Sequence, residues 1–536
     1  HIQRHPLDHC GRELSMSLLF EALQAACRRS NSLASVISHH GENTIQEYLT
    51  ELNSNGGKGY QGIDDLKQVV FAYAKDLIGA ETAGKASERL ECDSGILTSN
   101  HHGVDYFSQS VQSSILYSLR NFQNTCYSGP AVIFSCGAVP LDNLTYPLGM
   151  LLYGASGIEP EDVPKKLPIF PNRLRRSMVS TAGPLQADMI ARALNRIGDL
   201  EKRRIIEPRL SNRMRALLQE CYGSEEVAKR SSYSEQAVVL NHMTWERLFA
   251  GPSCFPKQIS LELEQVVKKL LFIDLQDKKS LVWQLFFNSC LRRKILFELD
   301  GKAACWNIRK LKNRLSAVSS NRAEQNGQIG AGTIFFWGTT GNGGRVPLHL
   351  ERGRKSKFIL KGIDDNANPY EFPFHPDSLC EGLAKKQLIP SLFTCFSALS
   401  FARAVTCTGG YYQREYLPKM QRGVVSALRQ SPGCKDIAPL VASVHTSAYL
   451  SGMQTVMTSS PGGGLVPAGP LEIMAGGGLS RYHIEKILSM TVKTAHLASL
   501  SETLPDIDRR ASRGRGLKGL LAHECQKELK DQVVVL

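Results

Sequence analysis

The sequence lacks the cysteine spacings that mark structural zinc sites and redox motifs. Its fourteen cysteines are scattered singly over 536 residues, with no CxxC and no CxxxC pair. Structural zinc sites and thioredoxin-like motifs use such close pairs, because two sulfur atoms must reach one metal ion or each other. Disulfide frameworks belong mainly to small secreted domains. We therefore expect all the cysteines to be reduced, and most of them to be buried.

Long apolar runs are also missing. No stretch approaches the ~20 apolar residues that a membrane-spanning helix needs. The polar start, HIQRHPLDHC, has no apolar core like that of a secretory signal. These absences predict a cytoplasmic protein with no membrane partner. The sequence says nothing of its oligomeric state.

Aromatic residues are few, at 7% of the chain, and the glycine-rich segments match neither a Walker A loop nor GxGxxG. The formal charge is +14, but the basic clusters are spread along the chain, and several contain acids, as in Asp199-Leu200-Glu201-Lys202. A nucleic acid usually binds one continuous basic stripe with interleaved aromatic residues. The composition thus disfavours a basic nucleic-acid- or protein-binding factor, which we keep as the alternative to an enzyme.

Length and periodicity predict an α/β protein of several parts. A chain of 536 residues exceeds one ordinary core. We assign residues 1–90 to a helical N-terminal layer and 91–320 to an α/β region with a partly parallel sheet and flanking helices. Residues 321–536 read as a mixed α+β region with Gly-rich loops. There, 333–350 predicts a β-hairpin, 388–405 a helix, and 406–413 an irregular interruption before the next helix.

The most informative stretch is 95–143. Two short apolar runs, at Ile96-Leu97 and at 131–134, predict buried strands. Between them, 105–122 carries apolar residues three and four apart, which is typical of one helical face. Such a unit closes most easily as a crossover between parallel strands, whose loops open into a crevice. We expect Asn100 to Gly103 and Cys136-Gly137 to lie there.

Three chemical interpretations of this crevice stay open. In the first, His102, Asp105 and Asp142 bind a divalent ion such as zinc. In the second, Cys136 is a thiol nucleophile, with His102 as its base and an aspartate as the group that orients the base.

The third interpretation needs neither a metal nor a covalent step. In it, His101, His102 and the N-terminus of the following helix hold a carboxylate or a phosphate. The structural alternative to all three is that Asn100 and the histidines merely cap that helix.

The sequence thus favours an enzyme that acts on a small polar, anionic metabolite by hydrolysis or group transfer. The candidate catalytic residues are His102, His101, Cys136 and Asp105. The candidate substrate-binding residues are Asn100, Asn143, Gln413 and Arg414. His102 serves in every interpretation, so we expect His102→Ala to abolish turnover.

Overall fold

The computed structural model describes residues 17–52, 59–120, 129–155, 160–251, 256–318, 330–353, 357–460, 462–508 and 516–536. The α/β class is confirmed, with helices flanking a parallel sheet. The helices are α1 (Leu18–Arg29), α2 (Asn31–His40), α3 (Ile45–Glu51), α4 (Asp64–Ile78), α5 (Ala80–Cys92), α6 (Ser108–Leu119), α7 (Ala187–Lys202), α8 (Pro208–Ala216), α9 (Glu225–Ala228), α10 (Tyr233–Trp245), α11 (Leu263–Asp274), α12 (Leu281–Phe287), α13 (Ser289–Glu298), α14 (Ile308–Val318), α15 (Pro376–Ala384), α16 (Leu392–Phe396), α17 (Tyr411–Arg429), α18 (Ile437–Ala442), α19 (Pro470–Ala475), α20 (Arg481–Ser489), α21 (Val492–Ile507) and α22 (Leu517–Leu529).

The strands of the described residues belong to four sheets. In chain order they are β1 (Gly95–Leu97), β2 (Ala131–Ser135), β3 (Gly149–Leu152), β4 (Lys165–Pro168), β5 (Gln258–Glu262), β6 (Phe336–Thr339), β7 (Arg345–Arg352), β8 (Phe358–Ile363), β9 (Pro369–Pro373), β10 (Leu388–Pro390), β11 (Thr406–Gly410), β12 (Tyr449–Ser451), β13 (Val456–Ser459), β14 (Leu465–Pro467) and β15 (Val534–Val535). The largest sheets have the orders β12-β11-β1-β2-β5, which is parallel, and β10-β6-β7-β8-β9, which is antiparallel.

The N-terminal helical layer forms as its sequence predicts. Ser30 ends α1, and its side chain accepts the backbone N–H of Leu33, so it also caps α2. Thr44 and Glu47 form a reciprocal capping box that starts α3. α1 packs on α21, so this layer covers part of the C-terminal region as well.

The predicted strand-helix-strand unit is confirmed as β1, α6 and β2. Both strands are buried, and Leu97 pairs with Ile133 in parallel register. α6 is buried on nearly every side because it packs on β2 and β12 of the sheet and on α3 of the N-terminal layer. The predicted helix end at Phe122 lies outside the described residues. The hairpin predicted within 333–350 is also confirmed, as β6 and β7.

Two predictions for the C-terminal region need correction. The expected helix over 388–405 forms over 392–403 but is preceded by strand β10, because Pro390 disfavours helical backbone at Ile389 and both residues pair with β6. The expected interruption at 406–413 contains β11, which pairs with β1 and β12 inside the parallel sheet. The threonines and glycines of β11 show no alternation of apolar and polar residues. Its strand conformation therefore depends on pairing with the neighbouring strands.

Two further expectations concern the whole chain. The eleven cysteines of the described part are all unpaired, while Cys10, Cys126 and Cys254 lie outside it. Among the described residues, no helix is long and apolar enough to cross a membrane. The parallel sheet takes β1, β2 and β5 from the predicted 91–320 region and β11 and β12 from the predicted 321–536 region. The division of the chain into three parts stays a prediction.

Candidate functional site

A cavity of about 760 Å³ opens at the carboxyl ends of the parallel strands. Each of the five strands contributes lining residues at or just past its last position. They are Asn100 and His101 after β1, Cys136 after β2, Glu264 after β5, Gly410 and Gln413 at β11, and Ser451 at β12. This edge of an open parallel sheet is where ligands bind in α/β proteins, because the loops leaving neighbouring strands separate there.

His101 is held by Asn143 in one orientation. The two residues meet through His101 Nδ1 and Asn143 Oδ1, 3.1 Å apart. The Asn143 amide nitrogen donates to the carbonyl of Pro140 at 2.6 Å, and its oxygen also accepts from Thr145 N at 2.8 Å. The oxygen therefore faces the imidazole, and Nδ1 carries the proton. Nε2 is left as an acceptor in a side chain that lines the cavity. Burial lowers the pKa of His101, so the ring is neutral at pH 7.

The Cys136 thiol donates a hydrogen bond to the Glu264 carboxylate and not to a histidine in the crevice. Its Sγ lies 3.1 Å from Glu264 Oε1. The same carboxylate accepts the backbone N–H of Gly137 at 2.6 Å and of Ala138 at 2.9 Å. Burial, followed by the charge of Glu264, raises the pKa of the Cys136 thiol well above its usual range. The thiol is therefore protonated at pH 7, which is a poor state for a nucleophile.

His102 points away from the cavity. It is fully buried, and its Nε2 lies 3.0 Å from the carbonyl of Ser234 and 3.2 Å from that residue's Oγ. Ser234 in turn donates to the buried Glu262. In a catalytic triad the histidine stands between the hydroxyl and the acid; here the hydroxyl stands between the histidine and the acid. Because the group is also sealed from solvent, its geometry fits a structural hydrogen-bond network.

The proposed metal ligands are not brought together. Asp105 is half-buried and accepts the N–H of Phe107 at 3.2 Å, while its own N–H donates to Asn241. Asp142 is exposed, and its N–H donates to the carbonyl of Arg175. In the part of the chain that the structure describes, no group of three or more His, Cys, Asp or Glu side chains is placed to hold a metal ion. The residues therefore do not fit a zinc centre.

The predicted substrate-binding residues divide into two sets. Asn100 and Gln413 line the cavity, and both side chains are held by neighbours: Asn100 donates to Ser114 Oγ at 2.8 Å, and Gln413 donates to Thr98 Oγ1 at 2.8 Å. Asn143 acts through His101. Arg414 is not among the lining residues and donates to Ser35 Oγ at 3.3 Å.

Three cations line the cavity, namely Lys302, Lys310 and Arg345. Arg345 donates to the carbonyl of Ala138 at 3.3 Å, and its guanidinium lies 4.6 Å from the ring centre of Trp337. Within the described residues, none of the three forms an ion pair. Unpaired cations around a concave surface attract a small anion.

Asp506 is another acid that lines the cavity, and its carboxylate accepts the hydroxyl of Tyr411. The hydroxyl of Tyr412 donates to the Asp506 carbonyl at 2.9 Å. Because Tyr411 and Tyr412 begin α17 directly after β11, this hydrogen bonding fixes the wall of the cavity to the sheet edge.

Sequence reasoning missed Glu264 and Arg345. Glu264 occupies the first turn of α11, where an acid is normal because it complements the helix dipole. Arg345 follows a Gly-rich turn and begins β7, as ordinary surface arginines do. One usable signal was the short run Ile259-Ser260-Leu261 just before Glu264, which is typical of a strand that ends at the same sheet edge as His101 and Cys136.

No protein family model matches the chain, and neither a curated protein nor a solved structure was found to match it.

Proposed function

We propose that the protein is a cytoplasmic enzyme that binds a small anionic metabolite in this cavity and transfers a group from it, to water or to another hydroxyl. The observation that carries the proposal is the joint presence, in one cavity, of a neutral imidazole in a fixed tautomer and three cations without ion pairs. Cations that form no ion pair among the described residues suit an anionic ligand.

His101 is the proposed general base. Its Nε2 has a lone pair available to the cavity, while Asn143 keeps the other nitrogen protonated. A general base must present its lone pair to the substrate and be neutral at the working pH. Arg345, Lys302 and Lys310 hold the anionic part of the substrate, and Arg345 offers the planar guanidinium that suits carboxylates and phosphates.

This assignment favours the non-covalent version of the three sequence interpretations. The Cys136 thiol is used as a hydrogen-bond donor to Glu264, which disfavours its ionisation. A nucleophilic cysteine needs a neighbour that stabilises its thiolate instead. Cys136 thus belongs to the floor of the cavity in this proposal.

Anion binding tests the proposal without knowledge of the substrate. The melting temperature is measured with increasing inorganic phosphate and with a small dicarboxylate, in wild type and in Arg345→Gln. A bound anion stabilises the native state by mass action, so wild type should melt higher and Arg345→Gln should need roughly ten times more ligand. Arg481→Gln is the matched control, because Arg481 is 83% exposed on α20 and pairs with Glu485. Equal shifts in all three proteins would show that the anions bind elsewhere.

A further inference from the structure

We propose that Glu264 is the proton donor that works opposite His101, so that the substrate lies between a base at the end of β1 and an acid at the end of β5. The inference rests on the proposed function and deepens it, since it names the second catalytic residue and the kind of bond that is broken. Glu264 lines the same cavity as His101.

The sheet sets the separation of the two groups. β2 lies between β1 and β5, with His101 bridged to Cys136 on one side and Ser135 in register with Glu262 on the other. Neighbouring strands are about 4.8 Å apart, so the backbones that carry His101 and Glu264 are roughly 10 Å apart. A substrate that lies over Cys136, at the end of the intervening strand, can therefore meet both groups. The Cys136 thiol lies between the two groups.

The hydrogen bonds of Glu264 leave one place for a proton. Each carboxylate oxygen can accept two hydrogen bonds. Oε1 accepts two, from the Ala138 N–H and the Cys136 thiol, whereas Oε2 accepts one, from the Gly137 N–H. The remaining lone pair of Oε2 is therefore the position that binds and releases a proton. The side chain is only 3% exposed, so these contacts fix its position at the cavity wall.

The environment of Glu264 favours its protonated form. Burial, and next the charge of Glu262, raise the pKa of Glu264 to about 7. Other titratable groups around it are Cys136, Cys395 of α16 and, through its interaction with Cys136, Arg345 of β7. Burial shifts the pKa of His101 in the opposite direction. Two titratable groups whose environments separate their pKa values in this way are typical of an acid and base pair.

The resulting step is balanced in atoms and charge. His101 Nε2 removes a proton from water as the water oxygen bonds to the reacting atom of the substrate. The bond from that atom to the leaving oxygen or nitrogen breaks, and its electron pair stays on the leaving atom, which takes the proton of Glu264. The proton on His101 then returns to Glu264 through solvent. The products are the hydroxylated group and the protonated leaving group.

This arrangement selects a class of substrate. A leaving group that is stable as an anion needs no proton donor, whereas an alkoxide or an amide ion leaves only if it is protonated as the bond breaks. We therefore infer an anionic substrate whose reacting bond joins an alkyl oxygen or a nitrogen. The cations Arg345, Lys302 and Lys310 bind the anionic group of the substrate, while Glu264 protonates its leaving oxygen or nitrogen.

The test is an infrared titration of the carboxyl groups, with and without saturating inorganic phosphate. Protonated carboxyls absorb separately from carboxylates, and labelling with [13C]glutamate distinguishes glutamate bands from those of aspartate. We expect a glutamate band that titrates near neutral pH in wild type, is absent in Glu264→Gln, and moves upward by about one pH unit with phosphate bound. Asp105→Asn is the control, because Asp105 has a raised pKa but does not line the cavity. Should Glu264→Gln fail to fold, Glu264→Asp must also lack this labelled glutamate band, because it keeps a carboxyl group but no glutamate at position 264.

Turnover gives a second measurement. Methyl phosphate has a leaving group that requires protonation, and p-nitrophenyl phosphate does not. Glu264→Gln should lose at least about tenfold more activity on the first than on the second, and it should lose the alkaline limb of the pH profile.

The outcomes separate this inference from the proposed function. A glutamate band that is identical in wild type and Glu264→Gln overturns the inference, even if phosphate still raises the melting temperature. Phosphate that binds without moving the Glu264 midpoint also overturns it. A Glu264 band that titrates in a protein that binds no anion counts against the proposed function, and so does the absence of turnover on both esters.

Discussion

His101 and His102 are adjacent in the chain but occupy different environments. His101 lines the cavity, with one nitrogen bonded to Asn143, whereas His102 is fully buried against Ser234. Successive side chains that leave a strand point to opposite sides, so one of two neighbouring histidines faces the crevice and the other faces the core. The sequence predicts that a histidine lines the crevice, but only the direction of the chain after β1 shows that it is His101 and not His102.

Chemical modification should therefore distinguish the two histidines. Diethyl pyrocarbonate acylates the unprotonated nitrogen of accessible neutral imidazoles, so we expect His101 to be modified early and His102 only after unfolding. Fragment-ion mass spectrometry of the peptide that contains both residues measures this order. His102→Ala should lower the stability by about 2 kcal/mol or more, because it leaves a cavity and removes a partner from Ser234. Modification of His102 first would contradict the assignment.

Asp105 should make the stability of the protein depend on pH. Burial raises the pKa of Asp105 to about 8 from a usual 3.8, so the folded protein holds this proton more tightly than the unfolded chain does. Its contribution to stability is complete below the unfolded pKa and is lost as the pH rises towards 8. Asp105→Asn should thus gain stability relative to wild type over that range, on the order of 2 kcal/mol at the alkaline end. Urea unfolding at several pH values measures the difference, with the exposed Asp142→Asn as the unaffected control.

At the scale of elements, the turn after β2 joins the cavity to the core. The Gly137 and Ala138 N–H groups bind Glu264 on the cavity side, and the Gly137 carbonyl accepts from Ser180 on the other. A Cβ atom at position 137 would lie 2.5 Å from Ser180 Oγ and 2.8 Å from Glu262 Oε1. Only glycine allows this close approach.

Gly137→Ala should destabilise the protein and disturb Glu264. The new methyl group must displace Ser180 or Glu262, which costs about 1–3 kcal/mol for an overpacked site. Denaturant unfolding of this variant should be compared with that of Gly183→Ala, since a Cβ at position 183 has no neighbour within 4 Å. Equal stability of Gly137→Ala and Gly183→Ala would show that the turn after β2 accommodates a methyl group without loss of stability.

The elements that could be predicted are those whose own side chains specify them. β1, α6 and β2 carry the apolar spacing of a buried strand-helix-strand unit, and the cavity lies at the predicted edge of that unit. β11 reads Thr-Cys-Thr-Gly-Gly and has no such pattern, so its place in the sheet depends on pairing with distant residues. The sequence could name Gln413 as a candidate substrate-binding residue. Its contact with Thr98 could not be derived, because that contact depends on the pairing of β11 with the distant strand β1. Arg345 reaches the cavity from a separate antiparallel sheet, and no local signal reports such a contact.

At the scale of the whole molecule, segments from both sides of position 320 build one sheet. β11 pairs with β1 through three successive residue pairs, and β12 extends the sheet beyond it. The wall formed by Tyr411 and Asp506 also comes from the C-terminal region. The cavity is therefore complete only when residues before and after position 320 fold together.

A fragment of residues 1–320 should not fold by itself. Without β11, the edge of β1 would be unpaired, and the helices packed against the C-terminal region would expose apolar surface. We expect the fragment to unfold without cooperativity or to aggregate, and to recover when it is expressed together with 321–536. Circular dichroism melts of the fragment, of the pair and of the full chain measure this. A cooperative melt of 1–320 alone would show that the division at 320 marks an independent domain.

The pairing of β1 with β11 also has a consequence during protein synthesis. Thr98 and Thr408, which are hydrogen-bonded at this edge, lie 310 residues apart in the chain. At roughly 5–20 residues per second, a ribosome needs about 15–60 s to cover that interval. Throughout it, the nascent chain presents an unpaired inner strand, and neither the wall at Tyr411 nor the contact of Gln413 with Thr98 exists. The unfinished polypeptide therefore exposes a strand edge that is prone to self-association, and a chaperone that binds near β1 would act in this interval.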